Sequence, residues 1–295
     1  MKLCLIVNPV AGKNKGEKAI RQAASLLDKK GISYEIKISE FAGSTVQIAR
    51  ELDTSKFDGI IAVGGDGTLF EMLNGLLKGN SNFDLPMGQI PVGTGNSFIK
   101  DLGIETIADA VEKITAGKTQ KVDVGLFKYP EGEHFFINLL GTGFVSNVAH
   151  RAGKYKSFGP LSYIIGVFEE VVNLKSVPVE LTIDGTVYQR DYIFAEVCNS
   201  TKTGGNMIMA PAAKINDGLL DVILLNSISK LNLLKLFPQI FKGTHILDSH
   251  VESFKGKQIK IITETPQRLT PDGEVFGTTP IEVAILPNQI TMFCG

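Results

Sequence analysis

Asp58 to Glu71 reads DGIIAVGGDGTLFE. Its apolar run, Ile60 to Val63, is closed by glycine at both ends, the mark of a short strand buried on both faces. Thr68 then opens a helical pattern that carries Leu69, Phe70, Leu73, Leu76 and Leu77 toward Lys78. Between strand and helix stand Gly64, Gly65, Asp66 and Gly67. A turn of this kind lets backbone N–H groups approach an anion without side-chain obstruction, and the start of a helix adds favourable polarity there. Read alone, such glycines also serve an ordinary tight turn. Asp66 tips the reading: a carboxylate would repel phosphate unless Mg²⁺ lies between them, so the grouping suits a metal-nucleotide site.

The same alternation extends in both directions. KLCLIVN, SYEIKIS, DGIIAVGG and MGQIPVG read as strands, with helices over 15–30, 44–52, 68–78 and 107–115 between and after them. That is the pattern of a parallel α/β sheet. Two further loops follow strands in the same way, Asn8-Pro9-Val10-Ala11-Gly12-Lys13 and Pro91-Val92-Gly93-Thr94-Gly95-Asn96-Ser97. In a parallel sheet such loops converge on one crevice. None is a Walker P-loop or a G-x-G-x-x-G dinucleotide turn.

Past Asp123 the pattern changes. VDVGLFKY, HFFINLLG, VPVELTIDG, YIFAEVCN, LLDVILLN, KQIKIITE and IEVAILP are mostly strands, separated by turns such as Asp184-Gly185 and Asn216-Asp217-Gly218. Such runs predict an antiparallel sandwich or closed sheet, with a domain boundary near residue 125. Helices are expected over 161–173 and 230–242. The second carries Leu233, Leu234, Phe237, Ile240 and Phe241 beside Lys230, Lys235 and Lys242, so it is either an amphipathic membrane contact or a helix packed on its own domain, interrupted by Pro238.

Composition narrows the class. The chain has 295 residues, 30 Lys and Arg against 31 Asp and Glu, and a net charge of -1, so nothing in it favours a nucleic-acid partner. At 43% hydrophobic and 21% charged it has material for a large core, divided at this length into two domains. Cys4, Cys198 and Cys294 are odd in number and form no C-x-x-C pair, which points to a reducing cytoplasm. The opening MKLCLIVNPVAGK has too short an apolar run for a signal-peptide core, and no run approaches the roughly 18 apolar residues of a membrane span. A soluble protein able to visit a membrane surface is expected. His134, His150, His245 and His250 have no ligand spacing and read as surface or packing residues.

NPVAG at 8–12, GGDGTLFEMLNG at 64–75, PVGTGNSF at 91–98, KINDGLLDV at 214–222 and PDGE at 271–274 occur together in an order that resembles the diacylglycerol kinase catalytic-domain family, specifically its bacterial soluble lipid kinases. The resemblance spans the chain. GGDGT also occurs in NAD kinases and phosphofructokinases, but PVGTGN and the late DGE favour the lipid-kinase branch. The resemblance implies a three-layer α/β nucleotide-binding domain over 1–124, rejoined by 284–295, and an antiparallel β-sandwich over 125–283, with ATP in the interdomain cleft. It implies nucleotide contacts at Asn8, Pro9, Val10, Ala11, Gly12, Gly64, Gly65, Asp66, Gly67, Thr68, Leu69, Phe70, Thr94 and Asn96, and at Ser39, where the family often has threonine.

Its chemistry is the transfer of a phosphoryl group from ATP with Mg²⁺ to a lipid hydroxyl, by analogy diacylglycerol to phosphatidic acid. The runners-up are a sphingoid or other lipid acceptor, and NAD. Glu274 matches the proton acceptor, with Asp272 as partner; two carboxylates around one glycine can both face a cleft, and proximity would raise the pKa of one. PDG is also a plain turn signal. Asp66 and Asp123 match the catalytic metal network, although Asp123 also reads as no more than a strand cap at the hinge. Asp217, with the carbonyls of Lys214 and Leu219, matches a structural Mg²⁺ site, although N-D-G forms a turn unaided. Many bacterial members carry an aspartate where this chain has Ser97, which leaves the metal one charge short unless Asp101 compensates. The implied partners are a diacylglycerol-like lipid, a transient membrane surface and, through exposed strand edges, a second copy of the chain.

Overall fold

The computed structural model describes the chain from Met1 to Gly295 apart from Ser81, Asn82, Thr94, Gly159 and Pro160, and apart from the side chains of Lys13, Asn14, Lys156, Ser157 and Phe158. Two compact units emerge, Met1–Val122 with Asn288–Gly295, and Asp123–Pro287. The boundary falls at Asp123 and the return at Asn288, two residues before and four residues after the limits read from the sequence (125 and 284). Among the described residues, no helix is long and apolar enough to cross a membrane.

In the first unit the strands β1 (Lys2–Val7), β2 (Ser33–Ile38), β3 (Gly59–Gly64) and β4 (Pro86–Pro91) are all parallel, in the order β2-β1-β3-β4. The end of the last strand of the chain adds to β4 in the same direction, Thr291 against Pro86. Residues of β3 are buried throughout, as an apolar run without alternation requires, whereas β2 lies at the edge and is largely exposed. Helices α1 (Gly16–Lys29) and α4 (Ile107–Ala116) pack on each other, as do α2 (Ser44–Glu51) and α3 (Asp66–Gly79). α4 is closed by both devices of a helix: Thr106 and Asp109 form a reciprocal capping box, and Gly117 ends it with φ 70°. Because β2 and β3 flank β1 on opposite sides, the strand order reverses at β1, where ligand crevices of open α/β sheets form.

The second unit is antiparallel. It contains β5 (Thr119–Tyr129, entered from the first unit), β6 (Gly132–Phe136), β7 (Leu139–Gly143), α5 (Phe144–Ala152), α6 (Leu161–Val171), β8 (Val177–Ile183), β9 (Thr186–Cys198), β10 (Leu220–Asn226), α7 (Lys230–Leu236), β11 (Val251–Gly256), β12 (Gln258–Thr263), β13 (Leu269–Pro271) and the start of β14 (Ile281–Phe293). The long β9 is shared between layers: Thr186 to Tyr192 pair with β8, while Phe194 to Cys198 pair with β7, which in turn pairs with β13. One face of β9 packs Tyr192, Ala195 and Val197 into a core with Val179, Leu181, Val222 and Ile261. The other packs Ile193, Phe194 and Cys198 against Phe144, Val148, Val167, Leu233 and Leu236 from α5, α6 and α7.

Three features depart from the sequence reading. HFFINLLG is two strands, broken at Ile137 and Asn138, because the N–H groups there turn to a carboxylate described below. Helix α5 was not expected; it begins at Gly143 (φ 82°) without a side-chain cap, so the usual start signal is missing. The stretch 230–242 is a seven-residue helix followed by a 3₁₀ segment, Phe237–Phe241, where Pro238 stops the regular pattern. Leu233, Leu236 and Ile240 are buried in their own unit, leaving Leu231 and Phe241 exposed.

Candidate functional site

The three glycine-bearing loops of the first unit meet at the carboxyl ends of β1, β3 and β4. A Cβ added to Gly12 (φ 59°) would lie 2.9 Å from the Gly93 nitrogen, so the first and third loops touch backbone to backbone. A Cβ on Gly64 would lie 2.1 Å from Thr68 Oγ1, so the turn into α3 closes only on glycine. The loops are also fastened by hydrogen bonds. The N–H of Asn8 donates to Val63 O at 3.1 Å and that of Val92 to Gly64 O at 3.0 Å. Gln89, fully buried in β4, donates through Nε2 to Gly64 O at 3.1 Å and to Asn96 Oδ1 at 3.3 Å. Asn96, held at φ 49°, donates to Gly93 O at 3.2 Å. Gln89 escaped the sequence reading, where its signal was a lone amide inside an apolar strand.

Asp66 sits at the centre of this cradle. Its Oδ1 and Oδ2 accept from the N–H of Ser97 at 3.0 Å and 2.9 Å. Burial pushes its carboxyl above the usual carboxylate range, while the N–H groups of Ser97 and Phe98 pull the other way. The Ser97 hydroxyl also hydrogen-bonds this carboxylate, so the serine supports Asp66 where an aspartate would add charge. Ser97 leads into one 3₁₀ turn, Phe98–Lys100, rather than a full helix, and Asp101 closes that turn.

The other expected nucleotide positions divide into backbone and core. Asn8 accepts the Val10 N–H at 3.2 Å, Val10 is exposed, and a single helical turn, Ala11–Asn14, follows. Thr68, Leu69 and Phe70 have buried side chains, and the N–H groups of Thr68 and Leu69 donate to Gly65 O. Ser39 is buried beyond β2, its hydroxyl accepting from Ser44 Oγ at 2.9 Å. Thr94 lies outside the described residues.

In the second unit, Pro271 to Glu274 form a turn closed by the Glu274 N–H on Pro271 O at 2.8 Å, with φ 48° at Asp272 and 90° at Gly273. Positive φ at both central positions is the requirement of a type I′ turn. Glu274 projects from it exposed. Asp272 is buried, and its carboxylate accepts the N–H groups of Ile137 at 2.9 Å, Asn138 at 2.9 Å and Leu139 at 3.0 Å. Asp272 therefore does not share an opening with Glu274 as two like-charged neighbours; it anchors the turn to the gap between β6 and β7.

Asp123 is likewise an anchor. It is fully buried, accepts the Gly218 N–H at 2.7 Å through Oδ2, and donates its own N–H to Ile215 O at 2.7 Å. It thus binds the loop Lys214 to Leu219. In that loop Asp217 accepts the Leu219 N–H at 3.1 Å, and Lys255 Nζ lies 3.7 Å from Asp217 and 3.2 Å from Asp221. A protein cation stands beside this acidic loop. Among the described residues no three His, Cys, Asp or Glu side chains gather into a metal cage. Three histidines pack or pair: His245 is buried with Nε2 3.0 Å from Met209 O, His250 meets Asp248 at 2.8 Å, and His134 lies 5.0 Å from the Phe276 ring, while His150 is exposed.

Beside the Pro271–Glu274 turn the second unit holds a cavity of about 100 Å³. Phe144, Val148, Val167, Leu233, Leu236 and Phe237 form part of its apolar wall, and Thr270 and Gly273 of the turn region border it. Nothing in the sequence singled out this space.

Residues 2–127 match the family model described as the diacylglycerol kinase catalytic domain, and residues 138–294 match that of the YegS C-terminal NAD kinase beta sandwich-like domain. The chain is 30% identical over 290 residues to a protein named diacylglycerol kinase from Bacillus subtilis (strain 168), covering 97% of this chain and 94% of the relative. It is 30% identical over 299 residues to one of the same name from Mycobacterium tuberculosis (strain CDC 1551 / Oshkosh), covering 98% and 94%. A crystal structure of a diacylglycerol kinase from Bacillus anthracis str. Sterne superposes with TM-score 0.76 at 26% identity, covering 100% of this chain and 97% of that one.

Proposed function

Because the chain belongs to the diacylglycerol kinase family, and is therefore a kinase with an alcohol group as acceptor, we propose that it transfers the γ-phosphate of ATP to the free hydroxyl of diacylglycerol, giving phosphatidic acid. The observation that carries the choice of a lipid is the cavity: its wall is apolar, and it is bordered by the turn that bears Glu274. NAD, a charged dinucleotide, has no use for such a wall. The description of the carboxyl-terminal family model keeps NAD in the test as the second reading.

The cradle of the first unit supports a nucleotide role through its backbone. The Gly-rich turns expose N–H groups at the start of α3, where phosphate charge is favoured. Mg²⁺, the cation expected with ATP, supplies charge neutralisation at the transferring phosphoryl group when bound. The donor set fits it: this ion commonly takes one or two carboxylates with phosphate oxygens and water, and Asp66, kept in place by Ser97, is such a carboxylate. Asp123 supports the second unit's loop rather than offering a free oxygen pair. Any cation at Asp217 competes with Lys255.

Glu274 takes the hydroxyl proton in this reading. It is exposed on a rigid turn, and Asp272, satisfied by three N–H donors, keeps that turn from moving. Orientation supplies the rest: phosphoryl transfer asks chiefly for an in-line approach of hydroxyl and phosphate. The reaction runs in the cytoplasm at a membrane face, where the acceptor is found.

The test is direct. Purified protein is incubated with labelled ATP, Mg²⁺ and mixed micelles containing diacylglycerol, sphingosine, ceramide or phosphatidylglycerol, with NAD in a parallel tube. Label in phosphatidic acid is the expected result. Label in another lipid reassigns the acceptor, and label in NAD alone overturns the lipid reading.

A further inference from the structure

The cavity wall is mostly apolar, and besides Tyr163, Thr203 and His245 its polar side chains are Glu196 and Thr270. Glu196 of β9 stands opposite Gly141 of β7, and Gly141 stands opposite Thr270 of β13. Residues paired across neighbouring strands point to the same face, so these three form a row, and Glu196 and Thr270 both line the cavity. The middle of the row has no side chain. A Cβ on Gly141 would lie 2.8 Å from Val145 Cγ2 and 3.1 Å from Glu196 Oε1, so glycine keeps a notch open between a carboxyl and a hydroxyl.

Both flanking groups are buried, Glu196 at 4% exposure and Thr270 at 6%. Neither Glu196 Oε2 nor Thr270 Oγ1 has a hydrogen-bond partner. Leaving buried polar atoms unsatisfied is costly, and two such atoms either side of one glycine, both on the wall of one cavity, suit a ligand that satisfies both. The ligand is constrained further by position, since Thr270 precedes Asp272 by two residues and Glu274 by four.

We propose that Glu196 and Thr270, flanking Gly141, form a polar notch that receives an ester carbonyl of the acylglycerol acceptor and so makes the protein selective for ester-linked, uncharged lipids. The inference rests on reading the cavity as the lipid site. Its chemistry is donation from both sides: the carboxylic acid O–H and the threonine O–H each point to a carbonyl oxygen, which has two lone pairs. Burial pushes the Glu196 carboxyl up to about 8, so at neutral pH it is an acid able to donate. The other titratable groups near it are Cys198 along β9, raised by burial, and Tyr163 and His245 across the cavity, with His245 held neutral by burial. None supplies a cation to ionise Glu196.

The experiment measures binding without turnover. The full chain is titrated calorimetrically with 1,2-dioctanoylglycerol and with its diether analogue, using wild type, Glu196→Gln, Glu196→Leu and Thr270→Val. Wild type is expected to bind the ester about tenfold more tightly, the strength of one or two hydrogen bonds. Glu196→Gln, which keeps an N–H donor, retains most of that preference. Glu196→Leu and Thr270→Val bring ester and ether close to parity. The wild-type preference declines from pH 7 to pH 9, whereas that of Glu196→Gln stays flat. Equal binding of ester and ether by wild type, or an unchanged preference in both Thr270→Val and Glu196→Leu, overturns the notch. So does tighter binding of sphingosine that Glu196→Gln abolishes, because that requires an ionised carboxylate. If Glu196→Leu fails to fold, Thr270→Val and the pH profile decide. Transfer to diacylglycerol measured on the same samples separates the two proposals: discrimination without transfer overturns the kinase reading alone, and transfer without discrimination overturns the notch alone.

Discussion

The two units surround a carboxylate in opposite ways. In the first, Asp66 is surrounded by backbone donors, and both oxygens accept from Ser97. In the second, Glu196 faces an apolar cavity and its Oε2 has no partner. Burial raises the pKa of both, but only at Asp66 do hydrogen bonds oppose it. The difference separates two tasks. N–H donors favour the charged form of a carboxylate, which suits a cation and phosphate; a carboxylate left without donors is pushed further toward its neutral form, which suits an uncharged ligand.

The largest test of this contrast removes the charged chemistry. Glu274→Ala and Asp66→Ala are each expected to lower kcat by about 10²–10⁴, the usual contribution of a general base or a charge-stabilising group. Circular dichroism of Glu274→Ala should match wild type, since the residue is exposed. Near-normal turnover by either variant would show that the contrast has nothing to do with catalysis.

Asp272→Ala probes support rather than chemistry. It strands three buried N–H groups, at Ile137, Asn138 and Leu139, and should cost about 3–5 kcal/mol in urea unfolding. A loss below about 1 kcal/mol would mean that water or a shifted backbone serves those donors as well.

Glu196→Gln sharpens the comparison through pH. The wild-type carboxyl rises from 4.5 unfolded to about 8 folded, so the folded state binds the extra proton between those values. Its stabilising contribution is complete below pH 4.5 and is lost as pH rises through about 8. By linkage, wild type should lose about 3 kcal/mol relative to Glu196→Gln between pH 4.5 and pH 7. Parallel stability curves would place a donor or a cation beside Glu196 after all.

Smaller effects test the fastenings. Gln89→Met keeps the volume but frees the Gly64 carbonyl and Asn96 amide from their tether, and is expected to raise the KM for ATP several-fold with little change in kcat. Asp217→Ala should shift stability by less than about 1 kcal/mol, because its pairing with Lys255 is partly exposed. A thermal shift on adding Mg²⁺ that this substitution abolishes would instead assign the loop to a metal.

The meeting of the glycine loops was legible in the sequence because its parts are local. GGDGT and PVGTGN are contiguous, glycine is their steric requirement, and each loop follows a strand of recognisable pattern. The second unit was less legible for the opposite reason. FVSNVAHRA lacks a capping residue and so hid α5, and HFFINLLG carries no sign that Asp272, far along the chain, breaks it in two. The turn PDGE was visible, but the division of labour inside it was not: buried Asp272 against exposed Glu274 depends on which backbone amides pack beneath.

By itself the sequence determined the two-part architecture, the family and the three glycine-bearing loops, since hydrophobic period, glycine position and motif order act within short stretches of chain. Tertiary structure alone decided what stands opposite what. Strand register set Glu196, Gly141 and Thr270 in one row, and the packing of α5, α6 and α7 enclosed the space they face. Register and enclosure are relations between segments distant in sequence, so the surroundings that give one carboxylate N–H donors and leave the other without them exist only once the chain has folded.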